Sequence, residues 1–392
     1  MADEKIIYLD NSATTKMSEA ALKRYIEVSN ECFGNPSSLH ALGFSAEKVI
    51  DAARRTVLES LGVKDGTVIF TSSGSEANNL AIIGHATSKD RYRGRAKIIT
   101  TEGEHASVDM PTDHLRSLGY KVAKIPTVGG KLDMGALKEE LTPDVVLVSM
   151  MMVNNETGAL YDLKAVKELM KTRVPEAYLH ADATQSYMKL PFTMASVGCD
   201  MITVSSHKIH GPKGVGALAV VPRVIKERGL VPIVLGGGQE SGFRSGTQNV
   251  PGIAAFAEAI KECRPKIGEN YEAMNALREA IKEGIKGDIA LSGVSITDPE
   301  NHAPHILNIT LPGIKSETML HYLSREGIFV SSGSACSSNG AHASSALVAY
   351  GRTPAEADCS IRISLSHLNQ KEDVEAFVHH LAAGVSRLAR MR

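Results

Sequence analysis

Through the first two thirds of the chain, short apolar runs rich in β-branched residues alternate with longer stretches whose apolar residues recur at helical spacing. This alternation constrains the fold most tightly, because parallel strands need crossovers long enough to hold a helix. TVIFTSS, AKIITTE, DVVLVSMM, AYLHADATQ, DMITVSS and VGALAVV read as strands, with SEANNLAIIGHATSKD and DLKAVKELMKT as helices between them. The pattern predicts an α/β unit built on a mostly parallel central sheet. From Pro251 it changes to a long helical stretch, then HILNITL, a helical SETMLHYLSREG, IFVSSGSACSSNGAHASSALVAYG and CSIRISLS. Strands and helices mix there on a smaller scale, which predicts a smaller α+β C-terminal domain with its boundary near residue 260.

Ligands of open α/β sheets bind beyond the carboxyl ends of the strands. Five predicted strands end on polar or ionisable residues: at GSEANN, at His105, at Asn155, at Asp182 with Gln185, and at Lys208. In SSGSEANN a strand, a glycine turn and a helix follow one another, with Ser73 and Glu76 at capping-box spacing. Such a helix start is either an ordinary cap or a phosphate site, and the absence of the Walker lysine pattern disfavours a nucleoside triphosphate. Asp182 follows an apolar strand, where a lone carboxylate needs a cation, supplied by a salt bridge or by a protonated pyridine nitrogen. In SSHKIHGPKGVG, Lys208 and Lys213 are each candidates for a Schiff base. Lys208 stands at the strand end, whereas Lys213 lies between Pro212 and Gly214 across the turn, so Lys208 is favoured.

His105 reads as a residue that stacks on a ring or moves protons, and His207 as a phosphate contact; both are equally compatible with ordinary loop histidines. Cys336 sits among small residues after an apolar run, a setting that offers little cover and favours a reactive thiol. Cys32, Cys199, Cys263 and Cys359 lie in more apolar or helical contexts and read as buried structural cysteines. Arg362 interrupts the apolar strand pattern of CSIRISLS and could grip a carboxylate from within a cleft.

Composition narrows the partners. Forty-three basic residues against 44 acidic ones give a net charge of -1, which draws the chain neither to nucleic acid nor to an anionic membrane. The N-terminus has acids where a secretory signal has bases, and the longest apolar run is too short to span a bilayer. A cytoplasmic location is expected. Five scattered cysteines without a CxxC pair argue against a disulfide framework or a cysteine-rich metal site.

YLDNSATT, GNPSSLHALG, FTSSGSEANNLAI, GEHASV, VNNETGAL, HADATQS, SSHKIHGPKGVGAL, GGGQESGFRSGTQN, SSGSACSS and IRISLS follow one another in the order found in cysteine desulfurases. Over nearly its whole length the chain resembles the NifS/IscS group of fold-type I pyridoxal 5'-phosphate (PLP) enzymes, in the class V aminotransferase family. The resemblance implies a large PLP-binding domain over 15–260 and a small domain formed by 1–14 and 261–392. It implies that Lys208 holds PLP covalently, that Asp182 pairs with the pyridinium nitrogen and that Gln185 contacts the phenolic oxygen. His105 would stack over the ring and assist proton transfer. Gly74, Ser75, Ser205 and His207 would bind the phosphate, joined by Thr247 of the partner subunit in a homodimer. Asn155 and Arg362 would hold the carboxylate of L-cysteine, and Cys336 would take its sulfur as a persulfide, releasing L-alanine and passing the sulfur to an acceptor protein. No metal is implied.

SSNGAHASSALVAYGRTP replaces the Leu-Glu-Pro turn expected after the cysteine in housekeeping scaffold-type members. The long cysteine loop still favours the NifS/IscS-like group, but the acceptor stays open among iron-sulfur cluster assembly, tRNA thiolation and cofactor synthesis. Competing readings are a class V aminotransferase, a selenocysteine lyase and an idle scaffold of the same fold. A nucleotide enzyme fits poorly, since GPKGVG and GGGQESG match neither the spacing nor the position of a dinucleotide fingerprint.

Overall fold

The computed structural model describes residues 6–88, 96–332 and 343–389. Its strands in chain order are β1 Ile7–Tyr8, β2 Thr67–Thr71, β3 Lys97–Thr101, β4 Lys121–Ile125, β5 Val145–Met151, β6 Tyr178–Asp182, β7 Met201–Ser205 and β8 Gly216–Val220. Then follow β9 Ser295–Thr297, β10 Ile306–Thr310, β11 Ile328–Phe329, β12 Ser331–Ser332 and β13 Ser360–Ser364. Seven of them form one sheet in the order β2-β8-β7-β6-β5-β3-β4. All run parallel except β8, which pairs antiparallel with both of its neighbours. The mixed α/β class with a mostly parallel central sheet is therefore as expected.

The central strands β6, β7 and β8 are buried along their whole length, which is why they read as near-continuous apolar runs. One face of the sheet packs through Val148, Met150 and Val204 against helices Glu19–Glu31, Ala41–Ser60 and Val250–Cys263, which contribute Val28, Ile50, Val57 and Phe256. The other face buries Ile69, Ile98, Leu147 and Tyr178 with Leu80 and Leu115. Strand β4, KVAKI, was not expected. As an edge strand it carries two lysines, the usual protection of an open edge, and these dilute the apolar signal.

The long helical stretch after Pro251 is two helices, Val250–Cys263 and Ile267–Gly287, separated by a tighter turn at Arg264–Lys266. Pro265 lies in that turn and has no N–H with which to continue the helical ladder. Beyond it, β12-β13-β10-β9 form an antiparallel sheet. Its core joins Met274, Ile281, Ile309, Ile363 and Phe377 to Ile7 and Leu9 from the other end of the chain. The latter two arrive because β1 pairs in parallel with β11, Ile7 opposite Ile328. Among the described residues, no helix is long and apolar enough to cross a membrane.

Candidate active site

A cavity of about 370 Å³ opens beyond the carboxyl ends of β5, β6 and β7 and is closed from the other side by β12 and β13. Lys208, Asp182, Gln185, His105, Gly74, Ser75, Ser205, His207, Asn155 and Arg362 all line it. Ten residues singled out from the sequence, spread over nearly 290 positions, thus meet in one place. Thr247 is exposed and does not line this cavity, and Lys213 is exposed on the far side of the turn, bordering a different one. Cys336 lies outside the described residues.

β2 ends in the turn that starts helix Gly74–Asn79, where the Ser73 hydroxyl accepts a hydrogen bond from Glu76 N–H. A side chain at residue 74 would place its Cβ 3.2 Å from Thr184 Oγ1 and 3.3 Å from Ser205 Cβ. The bare backbone lets the helix start press against the ends of β6 and β7. Gly216 serves the same end, since a Cβ there would fall 2.4 Å from the Ser73 carbonyl carbon. Free N–H groups at a helix start suit an anion, and among the described residues the neighbouring Ser205 hydroxyl is buried without a hydrogen-bond partner. His207 completes this corner, its Nδ1 3.1 Å from Thr14 Oγ1. Burial, and then the charges of Lys208, Lys213 and Lys189, push its pKa down to about 4.

Asp182, 5 % exposed, accepts hydrogen bonds from Thr184 N–H at 2.9 Å and from Asn78 Nδ2 at 2.7 Å. Among the described residues it forms no ion pair. Gln185 donates from Nε2 to the Ser12 carbonyl at 2.9 Å. Lys208, on the turn after β7, donates to the same carbonyl at 2.5 Å and to that of Ala13 at 2.7 Å. Across the cavity, Arg362 on β13 donates from Nη1 to the Asn155 carbonyl at 2.9 Å and from Nη2 to Asp10 Oδ1 at 3.0 Å. Its Nε is buried without a partner among the described residues. The Asn155 side chain makes no hydrogen bond to the described residues, so this side of the cavity offers an unused guanidinium donor beside an unused amide.

Sequence reasoning missed several wall residues. Asp10 and Ser12 lie in a stretch whose role becomes visible only when the N-terminus folds back across the sheet. Glu156, whose carboxyl is held above its usual pKa by burial and accepts from the Ser344 hydroxyl, also lines the cavity. YLDNSATT and VNNETGAL belong to the motifs that carry the resemblance, but of their residues only Asn155 was given a role, and nothing in the sequence pointed to Asp10, Ser12 or Glu156.

The model of the family described as aminotransferase class-V matches residues 7–377. The chain belongs to the class-V aminotransferase family. A NifS/IcsS homologue of Lactobacillus delbrueckii is 39 % identical over 95 % of both chains. Cysteine desulfurase IscS 1 of Archaeoglobus fulgidus is 36 % identical over 98 % of both. A solved NifS-like protein superimposes with a TM-score of 0.89 at 33 % identity, covering 97 % of this chain and all of its own. Within the class-V family this chain is a cysteine desulfurase of the NifS/IscS group, and its cofactor is PLP.

The residues present fit that cofactor. Asp182 is a buried carboxylate that forms no ion pair among the described residues, so it calls for a positive group in the cavity, as a protonated pyridine nitrogen supplies. The unpartnered Ser205 hydroxyl beside the Gly74 helix start calls for a polar anion, as a phosphate supplies.

Proposed function

We propose that this desulfurase works on L-cysteine with Lys208 as the covalent anchor of PLP and Cys336 as the sulfur acceptor. The observation that carries the reading is the buried Asp182 carboxylate, without an ion pair among the described residues, facing the same cavity as Lys208. Asp182 holds the ring nitrogen, Gln185 the phenolic oxygen, and Gly74, Ser75, Ser205 and His207 the phosphate. When bound, PLP supplies an electron sink that lets a proton leave the substrate α-carbon. Lys208 takes and returns that proton, its amine held over the Ser12 and Ala13 carbonyls. Arg362 Nε and the free Asn155 amide hold the substrate carboxylate, and His105 covers the ring.

The Cys336 thiolate then attacks the substrate sulfur. A sulfur–sulfur bond forms, the substrate carbon–sulfur bond breaks, and the carbon fragment gains a proton to leave as L-alanine. The other cysteines fit this role poorly. Burial pushes Cys199 and Cys263 up to about 12, and neither these nor Cys32 or Cys359 lines the cavity. The persulfide passes to an acceptor protein for iron–sulfur or other thio-cofactor synthesis.

The two units of the reading are 15–260, and 1–14 with 261–392, supported by the separate core in which Ile7 and Leu9 join Met274 and Phe377. The reading includes a cytoplasmic location and a homodimer in which Thr247 of the partner subunit completes the phosphate site; self-association is supported by the exposed apolar side chains Phe33, Leu39, Phe44 and Leu235. The test is Cys336→Ala. Persulfide and alanine formation from L-cysteine are lost while the visible absorption of bound PLP is kept; full turnover by that variant would sink the assignment.

A further inference from the structure

Asn78 and Ser107 have no place in the reading above, yet they connect Asp182 to His105. Asn78 is 1 % exposed. Its Nδ2 donates to Asp182 Oδ2 at 2.7 Å and to Ser107 Oγ at 2.9 Å. An amide nitrogen has two hydrogens, so both are committed. Among the described residues the Asn78 Oδ1 is left buried without a partner, which costs free energy because its lost hydration is not replaced. Turning the amide over would set that oxygen against the Asp182 carboxylate, so the donating orientation is enforced despite its cost.

The direction of the next bonds follows. Because Ser107 Oγ accepts from Asn78, its own hydrogen is free for His105 Nδ1, 2.8 Å away. The Ser107 backbone N–H donates to the same ring nitrogen at 3.1 Å, as His105 caps helix Ala106–Ser117. Two donors converge on Nδ1, which must therefore present its lone pair. The ring hydrogen sits on Nε2. Burial holds the pKa of His105 below its ordinary value, which disfavours a second ring proton.

We propose that Asn78 and Ser107 are positioning residues that hold His105 as its Nε2–H tautomer, so that it acts in the cavity as a hydrogen-bond donor and not as a base. The inference deepens the reading that His105 covers the cofactor, and rests on it. A ring in this state takes no proton at Nε2, which leaves α-proton movement to Lys208. Asp182 anchors the chain: its negative charge orients Asn78, Asn78 occupies one lone pair of the Ser107 hydroxyl, and with the Ser107 backbone N–H fixing Nδ1 as an acceptor that hydroxyl donates to the imidazole.

The test is nitrogen NMR of the PLP-loaded enzyme carrying ¹⁵N-histidine, with the His105 signals assigned by their loss in His105→Gln. The expected spectrum has a protonated Nε2 and an unprotonated, hydrogen-bonded Nδ1. In Ser107→Ala the Nδ1 signal moves toward that of a less hydrogen-bonded nitrogen, and kcat falls about threefold to tenfold, as for one lost hydrogen bond. A protonated Nδ1 in the parent enzyme, or a Nδ1 signal unmoved in Ser107→Ala, overturns the inference. Glutamine carries an N–H donor near the position of Nε2 and cannot serve as a base there, so His105→Gln retains activity within about tenfold of the parent, whereas His105→Phe falls further. Equal loss in both also overturns it. If the absorption of bound PLP is unmoved in both variants, the covering role of His105 fails, a result distinct from a wrong tautomer.

Discussion

Lys189 carries an electrostatic cost that the fold tolerates. It is 7 % exposed, its Nζ reaches Gln185 Oε1 at 3.5 Å, and it has no carboxylate partner among the described residues. Burial, together with the charges of Lys208 and Arg362 and against the opposing pull of Cys263, lowers its pKa to about 7. The unfolded chain keeps a lysine pKa near about 10.4. Between these values the unfolded state binds the extra proton, so this group makes stability rise with pH through the window. Below it the ammonium is charged in both states and the full burial penalty applies. Lys189→Met is therefore expected to stabilise the enzyme against urea at pH 6, with the gain shrinking toward pH 10 by about 1.4 kcal/mol per unit of pKa shift. A gain that stays constant across that range would show that Lys189 keeps its proton throughout. Its contact with Gln185 places it beside the side chain assigned to the phenolic oxygen.

Two glycines of one motif act for different reasons at the scale of the element. Gly214 has φ +80° and open space around it, so Gly214→Ala strains only the backbone and costs about 1 kcal/mol. Gly216 begins β8 hard against the Ser73 carbonyl. Gly216→Ala should displace the turn that leads into helix Gly74–Asn79 and weaken PLP affinity at least about tenfold, which is a loss of roughly 1.4 kcal/mol. Titration of the apoenzyme with PLP checks this; unchanged affinity in Gly216→Ala beside a folded Gly214→Ala would show that the turn does not position the phosphate.

The central elements were legible in the sequence because β2, β3, β5, β6, β7 and β8 are apolar runs, and polar residues stand at or just beyond the ends of all but β8. The edge strand β4 was hidden by its lysines, and the helix break at Pro265 by the long helical periodicity around it. Lys208, Asp182 and His105 announced themselves as strand-end residues. Asn78 did not, because its importance depends on Asp182 being 104 positions away in sequence and 2.7 Å away in space. Asp10 and Ser12 were equally silent, since only the return of the N-terminus across the sheet brings them to the cavity.

That return holds the whole molecule together. Leu9 is fully buried in the C-terminal core, and the next residue, Asp10, takes one terminal nitrogen of Arg362. Leu9→Ala is expected to cost about 2–5 kcal/mol and, by loosening Asp10, to raise KM for L-cysteine more than it lowers kcat. Chemical denaturation and steady-state kinetics measure the two effects separately, and a destabilised variant with parental KM would show that Asp10 is positioned independently of Leu9. The parallel pairing of β1 with β11 also sets an order of events during synthesis. The strand holding Ile7 leaves the ribosome early, but its partner at Ile328 follows about 320 residues later, which at roughly 5–20 residues per second is a wait of tens of seconds. During that interval Ile7 and Leu9 have no core to enter, although the central sheet can already close behind them. The first strand made is among the last to be placed, and Asp10, tied to Arg362, reaches the catalytic cavity only when that placement is complete.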